Sequence, residues 1–188
     1  MQKVIEERPM KNELKYLLSK YQNPKTRNIE WDLRFIENDY TEPMYKGVVV
    51  ILLFTHQGLA MIRPKTVPDA PERYTLPIDK ISLAEYVEDA VTRVGIEKIG
   101  FNIYPIALPA IHRIFINFAN ITVIRWHFIF RVKILGGNVT HNDSKPNAVR
   151  FFTKIPSYKT IPDKDWVPLV LRDAGLLRFL HGVSPKKL

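Results

Sequence analysis

Three carboxylates, Glu85, Glu88 and Asp89, fall within one short stretch and are followed by Thr92 and Arg93. If that stretch is helical, all five side chains project from its outer face. Carboxylates one helical turn apart suit a hard divalent cation, because magnesium and manganese take oxygen ligands. A phosphate chemistry that depends on such a metal ion could sit on this face. Arg93 works against it. Four residues after Asp89, its guanidinium would pair with that carboxylate and put a fixed positive charge where a metal ion would sit. A second set of candidates lies on the run Ile121–Ile134. Thr122, Ile124, Trp126, Phe128, Phe130, Val132 and Ile134 line one face of a strand there. Arg125, His127, Arg131 and Lys133 line the other, interrupted by Ile129. Such a basic face either lines an anion site or is the ordinary solvated side of an antiparallel strand.

The elements that position the acidic group run from Arg73 to Glu97. They read as the end of a strand, a tight loop at Pro77–Lys80, and a helix over about Leu83–Val94. Ser82 is a good N-cap, and Glu85 three residues later completes a capping box. Gly95 supplies the left-handed residue that ends a helix cheaply. Leu83, Val87, Ala90, Val91 and Val94 recur at helical spacing and must face a core.

This order of strand, Leu-Pro, short loop, helix and Gly-Ile resembles the Nudix box, with Tyr74, Leu76 and Pro77 as the aromatic and Leu-Pro that commonly precede it. Anchored on Gly95-Ile96, the family's Arg-Glu falls on Glu88-Asp89, its apolar position on Ala90, and its Glu-Glu pair on Thr92-Arg93. That pair supplies carboxylates to the metal in the family, and here neither residue is a carboxylate. The span from Asp79 to Gly95 is also about five residues shorter than the family's pattern. The resemblance therefore implies an α/β (α+β) fold, a Nudix-like mixed sheet flanked by helices, in which the box is kept as a scaffold and degraded as a catalyst. It also implies hydrolysis of nucleoside diphosphate derivatives as the ancestral chemistry, with box carboxylates holding metal. Asp89 alone keeps a carboxylate at a family ligand position, and Glu85 and Glu88 would have to complete a displaced site. The ending Met61-Ile62-Arg63-Pro64 resembles the ADP-ribose pyrophosphatase branch, which makes Arg63 a substrate-binding candidate beside Arg93, Arg125, His127 and Arg131. No metal is expected, and magnesium or manganese enters only if the hydrolase alternative holds.

The remaining composition sets limits. With 188 residues and 46% apolar content, the chain can bury a sizeable core. It reads as an N-terminal helical extension over 1–28, a Nudix-like domain over 29–180, and a tail over 181–188. The absence of cysteine excludes thiolate metal sites and fits a cytoplasmic protein. No apolar run approaches the length of a membrane helix. The five histidines show no paired helical spacing, so zinc is not indicated. A net charge of +9 favours anionic partners. Three functions follow: a non-catalytic binder of a nucleotide-like anion or of a partner protein, a divergent hydrolase, and a nucleic-acid-associated accessory protein.

Other elements are placed by pattern. Leu14, Leu17, Leu18 and Tyr21 give a helix over about Lys11–Tyr21, ended by Asn23-Pro24. Ile29, Trp31, Leu33 and Phe35 alternate as a strand, followed by a loop at Tyr40–Pro43. Lys46–Phe54 and Leu59–Arg63 form a hairpin, followed by a proline-rich loop over Lys65–Arg73. Lys98–Ala107 and Ile111–Phe118 are two strands, with Pro105 and Pro109 marking an edge or an interruption. After a turn at Gly136-Gly137-Asn138, Ala148–Phe152 is a short strand. A last helix spans about Asp165–Ala174, capped by Gly175.

Overall fold

The computed structural model describes residues 3–32, 45–63, 74–118, 120–137, 149–154 and 166–176. In chain order these form β1 (Lys3–Glu7), α1 (Lys11–Lys20), β2 (Lys25–Asp32), β3 (Gly47–Thr55), β4 (Gly58–Ile62) and β5 (Ile78–Ile81). They continue as α2 (Val87–Val94), a π-helical turn (Gly95–Ile99), β6 (Phe101–Phe118), β7 (Ile121–Gly137), β8 (Val149–Phe152) and α3 (Trp166–Asp173). The loops expected at Tyr40–Pro43 and Lys65–Arg73, Asn138 and the tail over 181–188 lie outside the described residues.

β7 organises the sheet. Its β-branched and aromatic residues favour extended backbone, and it pairs along its length with β6. On its other edge β1 takes the first stretch in parallel and β3 the next, also in parallel. The strand order is β2-β6-β7-β3-β4-β8, with β1 on β7 and β5 on β3, so the sheet is mixed. Helices cover both faces. Leu17 of α1 and Val87, Ala90, Val91 and Val94 of α2 pack against Val49, Ile51, Phe128 and Phe130. On the opposite face Trp166, Val167, Val170 and Leu171 of α3 pack against Val50, Leu52, Met61 and Ile129. The fold is α+β, as the sequence implies.

Several local expectations change. The loop expected at Pro77–Lys80 is largely strand β5, Ile78–Ile81, which pairs with Gly47–Val50 of β3. The helix starts at Val87 rather than Leu83, and Leu83 is 58% exposed rather than in the core. Gly95 is right-handed (φ −56°), and the chain runs on through the π-helical turn to Gly100, whose φ of 83° ends it. Gly95 is small for a different reason: a Cβ there would lie 2.3 Å from Cγ1 of Ile103. The two strands expected around Pro109 are one strand, β6, with register breaks at Pro105/Ala107 and Ala107/Ala110 that absorb the prolines. The N-terminal segment supplies α1 as expected, and also β1, whose Ile5 is buried. Gly175 does close α3, with φ of 75°. The N–H groups of Leu176 and Gly175 donate back to Leu171 O and Arg172 O, the Schellman arrangement.

Candidate functional site

A guanidinium has five N–H donors in a planar fork. All of Arg93's are engaged. Nε donates to Glu85 Oε1 at 2.8 Å, and the two terminal nitrogens donate to Glu85 Oε2 (3.1 Å), Asp79 Oδ2 (3.0 Å), Glu97 Oε2 (3.2 Å) and Lys80 O (2.8 Å). Three elements bring these groups together. β5 presents Asp79 and the Lys80 carbonyl, the turn Ser82–Glu85 presents Glu85, and the π-helical turn presents Glu97. Lys98 adds a second cation, 3.4 Å from Asp79. The hydrogen bonds that Arg93 donates to Glu85 raise its pKa still further, against the opposing effect of burial. Burial alone would lift the Asp79 carboxyl, but the Lys80 N–H, Arg93 and Lys98 together hold it below the usual range. Arg93 thus pairs with three carboxylates, and its partner is not Asp89. An open groove of about 510 Å³ lies beside the hub, lined by Tyr45, Lys80, Ser82 and Ala84 together with Asp79, Glu85 and Arg93.

The three carboxylates proposed for catalysis are divided. Glu85 belongs to the Arg93 hub. Glu88 accepts from Lys20 Nζ at 2.8 and 3.0 Å and from the Tyr21 hydroxyl, both at the C-terminal end of α1. Asp89 is exposed, and its side chain has no hydrogen bond or ion pair among the described residues. Glu88 and Asp89 line a second groove of about 400 Å³, between α1 and α2, which Glu85 does not line. Among the described residues, no three His, Asp or Glu side chains are disposed to share one metal ion.

The start of α2 depends on a residue far away in sequence. Tyr86 stands at the N-cap and offers no side-chain cap. Instead Glu13 of α1 accepts the Val87 N–H at 2.7 Å, replacing the local cap that an orphan helix amide otherwise needs. The other oxygen of Glu13 lies 3.4 Å from Lys46 Nζ, which donates to Glu85 O at 2.9 Å and lies over the Tyr86 ring. Ser82 keeps half of the expected capping box, since its N–H donates to Glu85 Oε2 at 3.3 Å.

The cationic candidates do not converge. Arg125 is paired with Glu7 of β1. His127 is buried, with its ring edge-on to Trp166 at 5.9 Å. Burial, reinforced by Arg125 and His112, lowers its pKa to about 3, so it is neutral at physiological pH. Arg131 is half-buried on β7 opposite Leu52. Arg63 follows β4, near Arg150 of β8, which lies over the Tyr74 ring at 5.4 Å.

The sequence did not reveal the cluster around Asp173. Its buried carboxylate meets Lys25 Nζ at 2.6 Å, the Arg27 guanidinium, and His112 Nε2 at 3.1 Å. Burial would raise the Asp173 pKa, but Arg27 and Lys25 hold it well below the usual carboxylate range. Burial lowers that of His112 despite the adjacent carboxylate. This cluster ties α3 to β2 and β6. Of the missed hub residues, only Glu97 had a sequence signal, its i+4 spacing from Arg93.

Fold and site together define an α+β domain: a mixed sheet between helices, with a short strand and helix α2 held by an arginine-centred charge hub. No family model matches the chain, and no curated protein matches it. Among solved structures it is similar to an ADP-ribose pyrophosphatase from Streptococcus suis 89-1591, at 16% identity and a TM-score of 0.41, covering 66% of this chain and 88% of that one. It is also similar to a NUDIX hydrolase from Nitrosomonas europaea, at 16% identity and a TM-score of 0.44, covering 70% and 86%. Among the described residues no helix is long and apolar enough to cross a membrane.

Proposed function

We propose that this chain is a non-catalytic Nudix-like domain that binds a nucleotide-like anion without hydrolysing it. The observation that carries the reading is the saturation of Arg93. Its guanidinium occupies the middle of Asp79, Glu85 and Glu97 and spends every donor there. The residues present do not fit a hard divalent cation, which needs several oxygen ligands at once. Glu85 is taken by Arg93, Glu88 by Lys20 and Tyr21, and Asp89 stands apart from the hub. Arg93 itself has nothing left to offer a phosphate. Of the cationic candidates, Arg131, half-buried on β7, is retained as the phosphate contact.

The divergent hydrolase is the second reading, and the unpaired carboxylate of Asp89 favours it. Calorimetric titration with magnesium and manganese, combined with an ADP-ribose hydrolysis assay, separates the two. We expect no micromolar metal binding, no turnover, and ADP-ribose binding that Arg131→Ala weakens. Manganese-dependent turnover abolished by Asp89→Asn would overturn the reading.

A further inference from the structure

We infer that the groove between α1 and α2 is a docking site for a basic, apolar-flanked segment of a partner protein. This goes beyond the proposed function and does not depend on it. The groove, about 400 Å³, has Leu17 as a buried floor. Its walls are large and left in solvent: Met10 is 66% exposed, Tyr16 52% and Tyr86 62%. An apolar surface left in water beside helices that otherwise bury theirs is a contact surface in want of a partner. Tyrosine and methionine are residue types enriched at such contacts.

Charge decides which partner. In a chain of net charge +9, none of the described residues lining this groove is Lys or Arg. Glu13 is neutralised by Lys46, and Glu88 by Lys20. Asp89 is therefore the one carboxylate of the described lining left without a counter-charge. Both tyrosines already hold an ammonium, Tyr86 with Lys46 5.5 Å from its ring and Tyr16 through its hydroxyl, which accepts from Lys20 Nζ at 3.0 Å, so this setting accepts cations. The occupant is then a Lys or Arg whose head pairs with Asp89, while its stem and an apolar neighbour lie against Met10, Tyr16 and Tyr86.

The test uses the full chain and two fluorescently labelled peptides, acetyl-Arg-Leu-Arg-Leu-Arg-amide and its Gln-for-Arg counterpart, followed by anisotropy. The chain's net positive charge disfavours non-specific capture of the basic peptide, so its binding reports a local site. We expect the basic peptide to bind and the neutral one not to. Asp89→Asn and Tyr86→Ala should each weaken binding by about fivefold or more, as expected of central contact residues. Both residues are exposed, and since Tyr86→Ala also removes the ring beside Lys46, circular dichroism first checks that each variant is folded at the assay temperature. Equal binding of both peptides, no binding of the basic one at millimolar concentration, or binding indifferent to both substitutions would overturn the inference. Metal and nucleotide are absent from the assay, so its outcome is independent of whether Arg93 replaces a metal ion.

Discussion

Glu13 serves two partners at once, and removing it has a calculable cost. Glu13→Ala takes away the acceptor of the Val87 N–H, a lost helix cap worth about 1 kcal/mol. It also strands Lys46, whose side chain is only 8% exposed, with one carbonyl and an aromatic face for company. Breaking a buried pair from one side costs about 3–5 kcal/mol. The 3.4 Å separation puts this pair at the low end, so the total should be about 4 kcal/mol. Glu13→Gln keeps an oxygen for the amide and loses only the charge, so it should cost about 3 kcal/mol. Lys46→Met in the Glu13→Ala background removes the stranded ammonium and should bring the loss back to about 1 kcal/mol, the cap alone. Urea unfolding of the parent and these three variants, followed by circular dichroism, measures the losses. A Glu13→Ala protein within about 0.5 kcal/mol of the parent, or one that Lys46→Met fails to rescue, would refute the reasoning.

Other outcomes follow from the same geometry. Arg93→Ala leaves Asp79, Glu85 and Glu97 facing one another without their common counter-charge, so stability should fall by about 2 kcal/mol and should then rise with added salt, which screens their repulsion; a variant whose melting temperature is unchanged by salt would contradict the hub. His127 is neutral in the fold, with its pKa lowered to about 3, while in the unfolded chain it protonates near 6.5. Its contribution is therefore complete above pH 6.5 and is lost as pH falls toward 3. Between pH 7 and 4.5 urea unfolding should show a loss of about 3 kcal/mol that is absent in His127→Phe. Gly95→Ala should cost about 1–3 kcal/mol through contact with Ile103, and Gly95→Asn should cost more, whereas a left-handed cap would tolerate asparagine; thermal melts of the two variants rank them.

The legible parts of this chain are those whose pattern is local. β7 could be read because large apolar and β-branched residues alternate over its length, and the buried side of α2 because Val87, Ala90, Val91 and Val94 repeat at helical spacing. The start of α2 could not. Ser82 and Glu85 have the spacing of a capping box, but they close a separate turn, and the cap comes from Glu13. No local pattern reports a partner on another helix. Arg93 was readable as a cation among carboxylates but not as the partner of these particular ones. Helical spacing puts Asp89 and Glu97 equally near it, and only the pairing of β5 with β3 brings Asp79 and Glu85 to the same side. The Nudix resemblance pointed to the sheet between helices, while leaving the Asp173 cluster unseen, because Lys25, Arg27, His112 and Asp173 come from three separate elements.

The parallel pairing of β1 with β7 sets Lys3 opposite Ile121 and Glu7 opposite Arg125. β2 likewise waits for β6, with Lys25 opposite Ala110. On a ribosome the first strand leaves the exit tunnel long before its neighbour exists. At about 5–20 residues per second, synthesis of the intervening chain takes roughly 6–24 seconds. For that interval Ile5 has no core to enter, and the buried Glu7 has no Arg125 to meet. β1 is thus made well before it can be secured, and this part of the sheet closes only once β7 has been synthesised.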